Sequence, residues 1–264
     1  MGRKTKQQQN RINYKLRDKF DLKDKQKRIH DDGIPKYLER HLPYIRKLSR
    51  NLDQILIVNA FVKPELKRGL IDRLLVLAEI EQIKPIICLN KVDLLQNSQD
   101  AEDLAKIYRD IGYDTINTSA KKSIGIDQLF SLLKDHRTAL AGHSGVGKSS
   151  LVNAMAPDLK IRVDEVSEST KRGKHTTTKV KIYSLDETTE IVDLPGVKIV
   201  DFIDIHKSEA RLYFREFLEP AEFCKFRDCM HLTETDCAVK EAVAQGIIDN
   251  SRYESYCNFV DTLD

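Results

Sequence analysis

Hydrophobic and polar positions along the middle of the chain switch repeatedly between two periods. Gln54-Ile55-Leu56-Ile57-Val58-Asn59-Ala60 is a nearly continuous apolar run, the pattern of a strand buried on both faces, and Ile86-Ile87-Cys88-Leu89 repeats it within 85–89. Between these runs, residues 66–81 place Leu70, Leu74, Leu77 and Ala78 on one face of a helix. The same reading predicts helix 100–111, strand 113–118, helix 126–134, strand 138–141, helix 148–155, and strands 178–184 and 189–193. Strands alternating with helices in this way predict an α/β fold around a doubly wound sheet. Helices at 207–219, 238–248 and 250–262 then follow without strands. No run approaches the roughly 18 apolar residues of a membrane span, and no apolar signal core follows Met1, so a soluble, cytoplasmic chain with no membrane partner is expected.

The punctuation between these elements carries the chemistry. Strand 138–141 runs into Gly142-His143-Ser144-Gly145-Val146-Gly147-Lys148-Ser149-Ser150, a G-x-x-x-x-G-K-S phosphate loop. Glycines allow the positive φ and close approach by which backbone N–H groups encircle phosphate oxygens. Lys148 would reach the β- and γ-phosphates, Ser149 would ligate Mg²⁺, and the helix opening at Lys148 would turn its positive end to the anion. Asn90-Lys91-Val92-Asp93 ends strand 85–89 with the form Asn-Lys-x-Asp. The Asp93 carboxylate can accept from the ring N–H and exocyclic amine of guanine, a donor pair that adenine lacks; Asn90 can meet the Hoogsteen edge and the Lys91 stem the ring face. Ser119-Ala120-Lys121 adds backbone groups for the guanine carbonyl. GTP and GDP are therefore the predicted nucleotides.

The order of the motifs is unusual. Ras-like GTPases carry the phosphate loop first, whereas here both base-reading motifs precede it, which reads as circular permutation. After the loop, Gly173-Lys174-His175-Thr176-Thr177-Thr178 resembles switch I, with Thr177 as the hydroxyl that completes Mg²⁺ coordination. Asp193-Leu194-Pro195-Gly196 resembles switch II, with Asp193 near the Mg²⁺ and the Gly196 N–H on the γ-phosphate.

Charge and cysteine spacing refine the picture. Residues 1–30 hold eleven Lys or Arg against three Asp, while the whole chain is only +3, so the positive charge is concentrated in an N-terminal arm able to neutralise RNA phosphates. Residues 1–50 are read as this arm plus a linker, 51–206 as the GTPase domain, and 207–264 as a small helical domain. Cys224, Cys229, His231 and Cys237 give Cys-x₄-Cys-x-His-x₅-Cys, a donor set that suits one structural zinc ion. Cys88 and Cys257 are read as packing residues.

Taken together, the permuted motif order, Gly-x-Ser-Gly-Val-Gly-Lys-Ser-Ser, Gly-Lys-His-Thr-Thr-Thr, Asp-x-Pro-Gly-Val and the cysteine set resemble the RsgA family of small-ribosomal-subunit-dependent GTPases. The resemblance implies an α/β, circularly permuted Ras-like P-loop GTPase domain with a C-terminal helical zinc-binding domain. It also implies GTP hydrolysis on the maturing small ribosomal subunit and its rRNA, by a chain expected as a monomer. Family members usually carry an N-terminal OB barrel, and residues 1–50 are too short and too poor in alternating β-branched runs to form one. Val197 stands where Ras-like enzymes place a water-orienting Gln, and His206 is the candidate replacement. A permuted GTPase of large-subunit assembly, and an RNA-binding module with weak catalysis, are the alternatives; the cysteine set speaks against the first.

Overall fold

Every residue of β1 (Gln54–Ala60) is buried, and the sheet is built outward from it. The computed structural model describes residues 52–161, 181–193 and 205–263. Within them, β1 is followed by α1 (Arg68–Glu81), β2 (Lys84–Asn90), α2 (Gln99–Asp110), β3 (Asp114–Asn117), α3 (Ile126–Leu133), β4 (Arg137–Ala141), α4 (Lys148–Met155), β5 (Lys181–Ser184) and β6 (Glu190–Asp193). The six described strands lie in the order β3-β2-β1-β4-β6-β5. All neighbouring pairs are parallel except β5 with β6. Read cyclically from β4, the chain makes a hairpin on one side and steps outward through β1, β2 and β3 on the other. The phosphate-loop strand is thus central although it comes fourth.

Period-2 alternation gives the sheet two apolar faces. Leu56, Val58, Ile86, Cys88 and Leu140 pack with Leu129 and Leu133 of α3 and Leu151 and Val152 of α4. The intervening residues Ile55, Ile57, Ile87 and Leu89 are equally buried, on the side taken by α1. Both ends of the buried strands must satisfy polar groups: Gln54 is 1% exposed and its amide donates to Thr138 Oγ1 at 3.0 Å and to the Leu132 carbonyl at 3.1 Å. The elements predicted from periodicity up to residue 193 are present, within a few residues at their ends.

The C-terminal segment departs from expectation in one place. The predicted helix 207–219 is instead α5 (Lys207–Ala210) followed by 3₁₀ turns at Arg211–Tyr213, Arg215–Phe217 and Pro220–Phe223. Phe214 adopts an extended conformation (φ −101°, ψ 100°) that interrupts the helix. The break turns Phe214 and Phe217 inward, both fully buried against Tyr256 with ring centroids 5.1 and 4.9 Å away. α6 (Ala238–Ala244) stops short of 248 because Gly246 takes a left-handed φ of 71°. α7 (Asn250–Val260) packs on α1. Ser49–Asp264 cluster as one compact unit.

A buried ionic node fastens this segment to the sheet's helices. Arg252 of α7 is 2% exposed at its side chain; its Nη1 donates to Asp72 of α1, its Nε donates to Glu216 Oε1 at 2.7 Å, and its Nη2 to Oε2 at 3.2 Å. Tyr108 of α2 donates its hydroxyl to Asp72 at 3.0 Å. Nearby, Arg215 lies 4.2 Å from the Tyr113 ring centre and pairs with Glu79 at 2.7 Å.

Candidate nucleotide and metal sites

The phosphate loop follows from β4 being central and parallel: its C-terminal end opens where the flanking strands also end, the usual ligand side of such a sheet. Two glycines are obligatory for its path. Gly142 has φ 144°, and a Cβ there would stand 2.2 Å from the Val58 carbonyl oxygen; Gly147 has φ 96°, and its Cβ would meet Asn90 Nδ2 at 2.4 Å. Gly147 is also the N-cap of α4, with no side chain capping the helix. Among the described residues, the backbone N–H groups of 144–149 donate to no protein acceptor. Such a run of unpaired donors at a helix start is an anion cradle. Lys148 Nζ lies over it, donating to the carbonyls of Gly142 at 2.9 Å and His143 at 3.1 Å, which leaves its third N–H uncommitted. Burial lowers the Lys148 pKa, opposed by the charge of Asp193; burial raises the Asp193 pKa, opposed by Lys148 and Lys181. The two predicted residues are therefore electrostatically coupled across the site. The Ser149 hydroxyl makes no hydrogen bond among the described residues.

Asn90 is 1% exposed and heavily engaged. Its Nδ2 donates to the Val146 carbonyl at 2.9 Å, while its Oδ1 accepts from Thr118 Oγ1 at 3.2 Å and from the Ala120 N–H at 3.3 Å. One amide hydrogen is left uncommitted. Asn90, expected from sequence to meet the base, also ties the loop to the Ser119-Ala120 segment. Asp93 sits in a 3₁₀ turn (Val92–Leu94) that starts because Lys91 takes a left-handed φ of 64°. Its Oδ1 accepts from Ser119 Oγ at 2.5 Å, which orients the carboxylate. Val92 contributes its backbone N–H, donated to the Thr118 carbonyl at 3.1 Å. Lys91 Nζ reaches the Gly145 carbonyl at 2.6 Å and the carbonyl of Lys63, so its stem spans the loop; burial lowers its pKa against the pull of Asp93.

Several supporting residues escaped the sequence reading. Thr118 holds both Asn90 and Cys88, the latter at 3.2 Å. Asn59, 2% exposed, donates to the Lys67 carbonyl at 3.1 Å and fixes the loop after β1. A polar residue at the end of an apolar strand was the available signal. Of the remaining predicted residues, Thr177 and Gly196 lie outside the described residues, as do Val197 and the N-terminal arm. His206 begins α5, its backbone N–H donating to Glu209 at 3.3 Å; among the described residues no hydrogen bond joins it to the phosphate loop.

The second site is the cysteine and histidine cluster. The ligand atoms of Cys224, Cys229, His231 and Cys237 lie within 4.8 Å of one another. Cys224 Sγ is 3.9 Å from Cys237 Sγ and 3.6 Å from His231 Nδ1, and His231 Nδ1 is 3.3 Å from Cys237 Sγ. Burial raises the Cys229 thiol to about 12 and lowers His231 to about 4. Tyr253 donates its hydroxyl to the His231 carbonyl at 2.6 Å, and Phe217 packs edge-on against the imidazole at 5.8 Å. These contacts tie the cluster to the aromatic core of the segment, and its four donors can hold one metal ion.

Comparison with known proteins agrees with this geometry. A family model described as RsgA GTPase matches residues 36–203. The Small ribosomal subunit biogenesis GTPase RsgA of Caldanaerobacter subterraneus is 45% identical over 223 residues, covering 84% of this chain and 75% of that protein. The protein of the same name from a Geobacillus species is 43% identical over 227 residues, covering 85% and 77%. Among solved structures, YjeQ from Thermotoga maritima superposes with a TM-score of 0.69 at 38% identity, covering 81% of this chain and 72% of its own. YloQ, described as a circularly permuted GTPase, gives 0.63 at 37%, covering 80% and 68%. With its central phosphate-loop strand, its base-reading motifs ahead of that loop and these relatives, the chain belongs to the RsgA family of circularly permuted GTPases.

Proposed function

We propose that this chain binds GTP and Mg²⁺ on the loop of residues 142–150, hydrolyses GTP to GDP and phosphate, and does so on the small ribosomal subunit as that subunit matures. The observation that carries the reading is the pairing of an unpaired N–H cradle with a base-side network, Asn90-Thr118-Ala120 and Asp93-Ser119, locked directly to it. Asp93 accepts from the guanine ring N–H and amine, and Lys148 takes the β- and γ-phosphates. Ser149 ligates Mg²⁺, and Asp193, held near Lys148, faces the metal's other side. Thr177 and Gly196 supply the switch contacts. The water-orienting group is His206 or a group contributed by the subunit.

The target rests on the relatives' shared name and on the positive charge of residues 1–30, which suits rRNA. The ion of the cysteine cluster is zinc in a structural role. Zinc bonds of about 2.3 Å to sulfur and about 2.0 Å to nitrogen set tetrahedral edges of roughly 3.8 and 3.5 Å, near the 3.9, 3.6 and 3.3 Å separations of the ligand atoms. Four protein donors leave no open position for catalysis. The protein acts as a cytoplasmic monomer.

Steady-state GTP hydrolysis by the purified protein, alone and with small or large subunits at low and moderate salt, tests the reading. Strong stimulation by small subunits alone is the expected result. Equal stimulation by both, or none with GTP binding intact, would overturn the assignment of partner. An unchanged stimulated rate in His206→Ala would remove that residue from the mechanism.

A further inference from the structure

A metal-ligating histidine is ordinarily held in place through its second ring nitrogen, which donates to a carboxylate or a carbonyl. Among the described residues His231 has no such partner. Its Nδ1 is the nitrogen turned to the sulfurs, 3.6 Å from Cys224 Sγ and 3.3 Å from Cys237 Sγ, while its Nε2 is buried without a hydrogen bond. A metal taken by Nδ1 leaves the ring proton on Nε2. The ring is therefore not aimed from its far side, and its orientation must come from the packing around it and the backbone that carries it.

That backbone is in an unfavourable conformation and is held there. His231 has φ 61°, the left-handed region that a residue with a Cβ enters only where its surroundings impose it. Glu234, three residues from His231 and three from Cys237, straddles the bend. Its Oε1 accepts from the Met230 N–H at 2.6 Å and its Oε2 from the Leu232 N–H at 2.9 Å, so one carboxylate clamps the chain on both sides of the ligand. Lys240 of α6 closes the same turn from its other end, donating to the carbonyls of Leu232 at 3.2 Å and Glu234 at 2.9 Å. Tyr256 and Tyr253 donate their hydroxyls to the Met230 and His231 carbonyls. Bonds from backbone N–H groups to a carboxylate are charge-assisted and stronger than neutral ones. Glu234 makes two of them.

We infer that Glu234 is the positioning residue of the metal centre: it holds residues 230–232 in the bend that turns Nδ1 of His231 toward the three thiols. The inference rests on the reading of the cluster as a zinc site. It adds a residue that is no ligand itself, since both its oxygens are taken up by the two N–H groups.

The full-length protein, saturated with GDP and Mg²⁺ and loaded with Zn²⁺ or Co²⁺, is equilibrated against a zinc-selective chelator; the visible d–d bands of Co²⁺ report the ligand set. Glu234→Ala should weaken zinc binding about 10- to 100-fold. Its Co²⁺ bands should move toward those of His231→Ala, a site that has lost its imidazole. Glu234→Gln keeps one carbonyl acceptor and the reach of the side chain, so it should fall between Glu234→Ala and the parent in both readouts. It also carries the test should Glu234→Ala not fold. Glu241→Ala removes the same charge from an exposed position on α6 and should match the parent. GDP affinity should be unchanged throughout. Parental zinc affinity and Co²⁺ bands in the Glu234 variants would overturn the inference. So would weakened zinc with unshifted bands, which marks a loss of fold and not of aim. A parent that binds neither metal would overturn the zinc reading itself, and the inference with it.

Discussion

Asn90 Nδ2 donates to the Val146 carbonyl at 2.9 Å, so the Asn-Lys-x-Asp motif is joined by one hydrogen bond to the phosphate-loop motif. The contact explains a sequence feature 57 positions away from Asn90 that would otherwise look merely flexible. Gly147 must lack a side chain because Asn90 occupies the space where its Cβ would be. Permutation separates these motifs along the chain and leaves their contact in space intact, since β2 and β4 both flank β1.

Asn90→Leu would keep the volume and remove every one of these bonds. The Val146 carbonyl, the Thr118 hydroxyl and the Ala120 N–H would lose a partner together, at roughly 1–3 kcal/mol for each buried group left unpaired. Nucleotide affinity should fall by about two orders of magnitude, because both halves of the site lose their registration. Fluorescent GDP titration reads the affinity, and a urea melt reads the accompanying loss of stability.

Specificity for guanine should rest on the Asp93 carboxylate that Ser119 orients. In Asp93→Asn, an amide N–H₂ replaces one acceptor, which mismatches the guanine amine but matches a carbonyl at the same ring position. GTP affinity is expected to drop about 100-fold or more, with xanthosine triphosphate becoming the better ligand. Competition between the two nucleotides for the variant measures this directly; continued preference for GTP would show that Asp93 does not read the base.

Much of this site was legible in sequence because its chemistry is local. A phosphate loop, an Asn-Lys-x-Asp turn and a Cys-x₄-Cys-x-His-x₅-Cys segment each draw their geometry from neighbouring residues, and the apolar runs around β1, β2 and β4 have unmistakable periods. What stayed hidden depends on contacts between distant residues. Nothing in the neighbourhood of Asp72 announces that it pairs with Arg252, 180 positions later. The helix predicted over 207–219 failed for the same reason. Its composition favours a helix, and the burial of Phe214 and Phe217 against Tyr256, a tertiary demand, breaks it.

The metal cluster should be required for the fold of the C-terminal segment and not for nucleotide binding. Cys237→Ser removes a thiolate that lies between Cys224 and His231 and should abolish stoichiometric zinc, as read by elemental analysis of the purified chain. Hydrogen exchange across 205–263 should rise strongly in that variant and in chelator-treated parent protein. GDP affinity should change by less than about threefold, because Asn90, Asp93 and Lys148 take their positions from β2 and β4. Loss of GDP binding on metal removal would instead show that the two sites fold as one.

The Arg252 node makes the sharpest energetic prediction. Among the described residues, its guanidinium is the single cation bonded to two buried carboxylates, those of Asp72 and Glu216, with side chains 3% and 8% exposed. Replacing Arg252 with Met keeps the length of the side chain and leaves both acids buried without a cation, Asp72 keeping only the Tyr108 hydroxyl, which should cost about 3–5 kcal/mol. The triple variant Asp72→Leu, Glu216→Leu, Arg252→Met removes the uncompensated charge as well, and should recover most of that loss, since buried ion pairs are close to neutral relative to well-packed apolar side chains. Urea denaturation of the parent, single and triple variants closes the comparison. Recovery in the triple variant would mean that the node specifies where the C-terminal segment docks on α1 and α2 and contributes little net stability. A triple variant as unstable as Arg252→Met would mean that the charges themselves hold the segment in place. GTP hydrolysis stimulated by small subunits then separates the two roles functionally, because a segment that is stable but free to shift on α1 should lose stimulation while keeping its intrinsic rate.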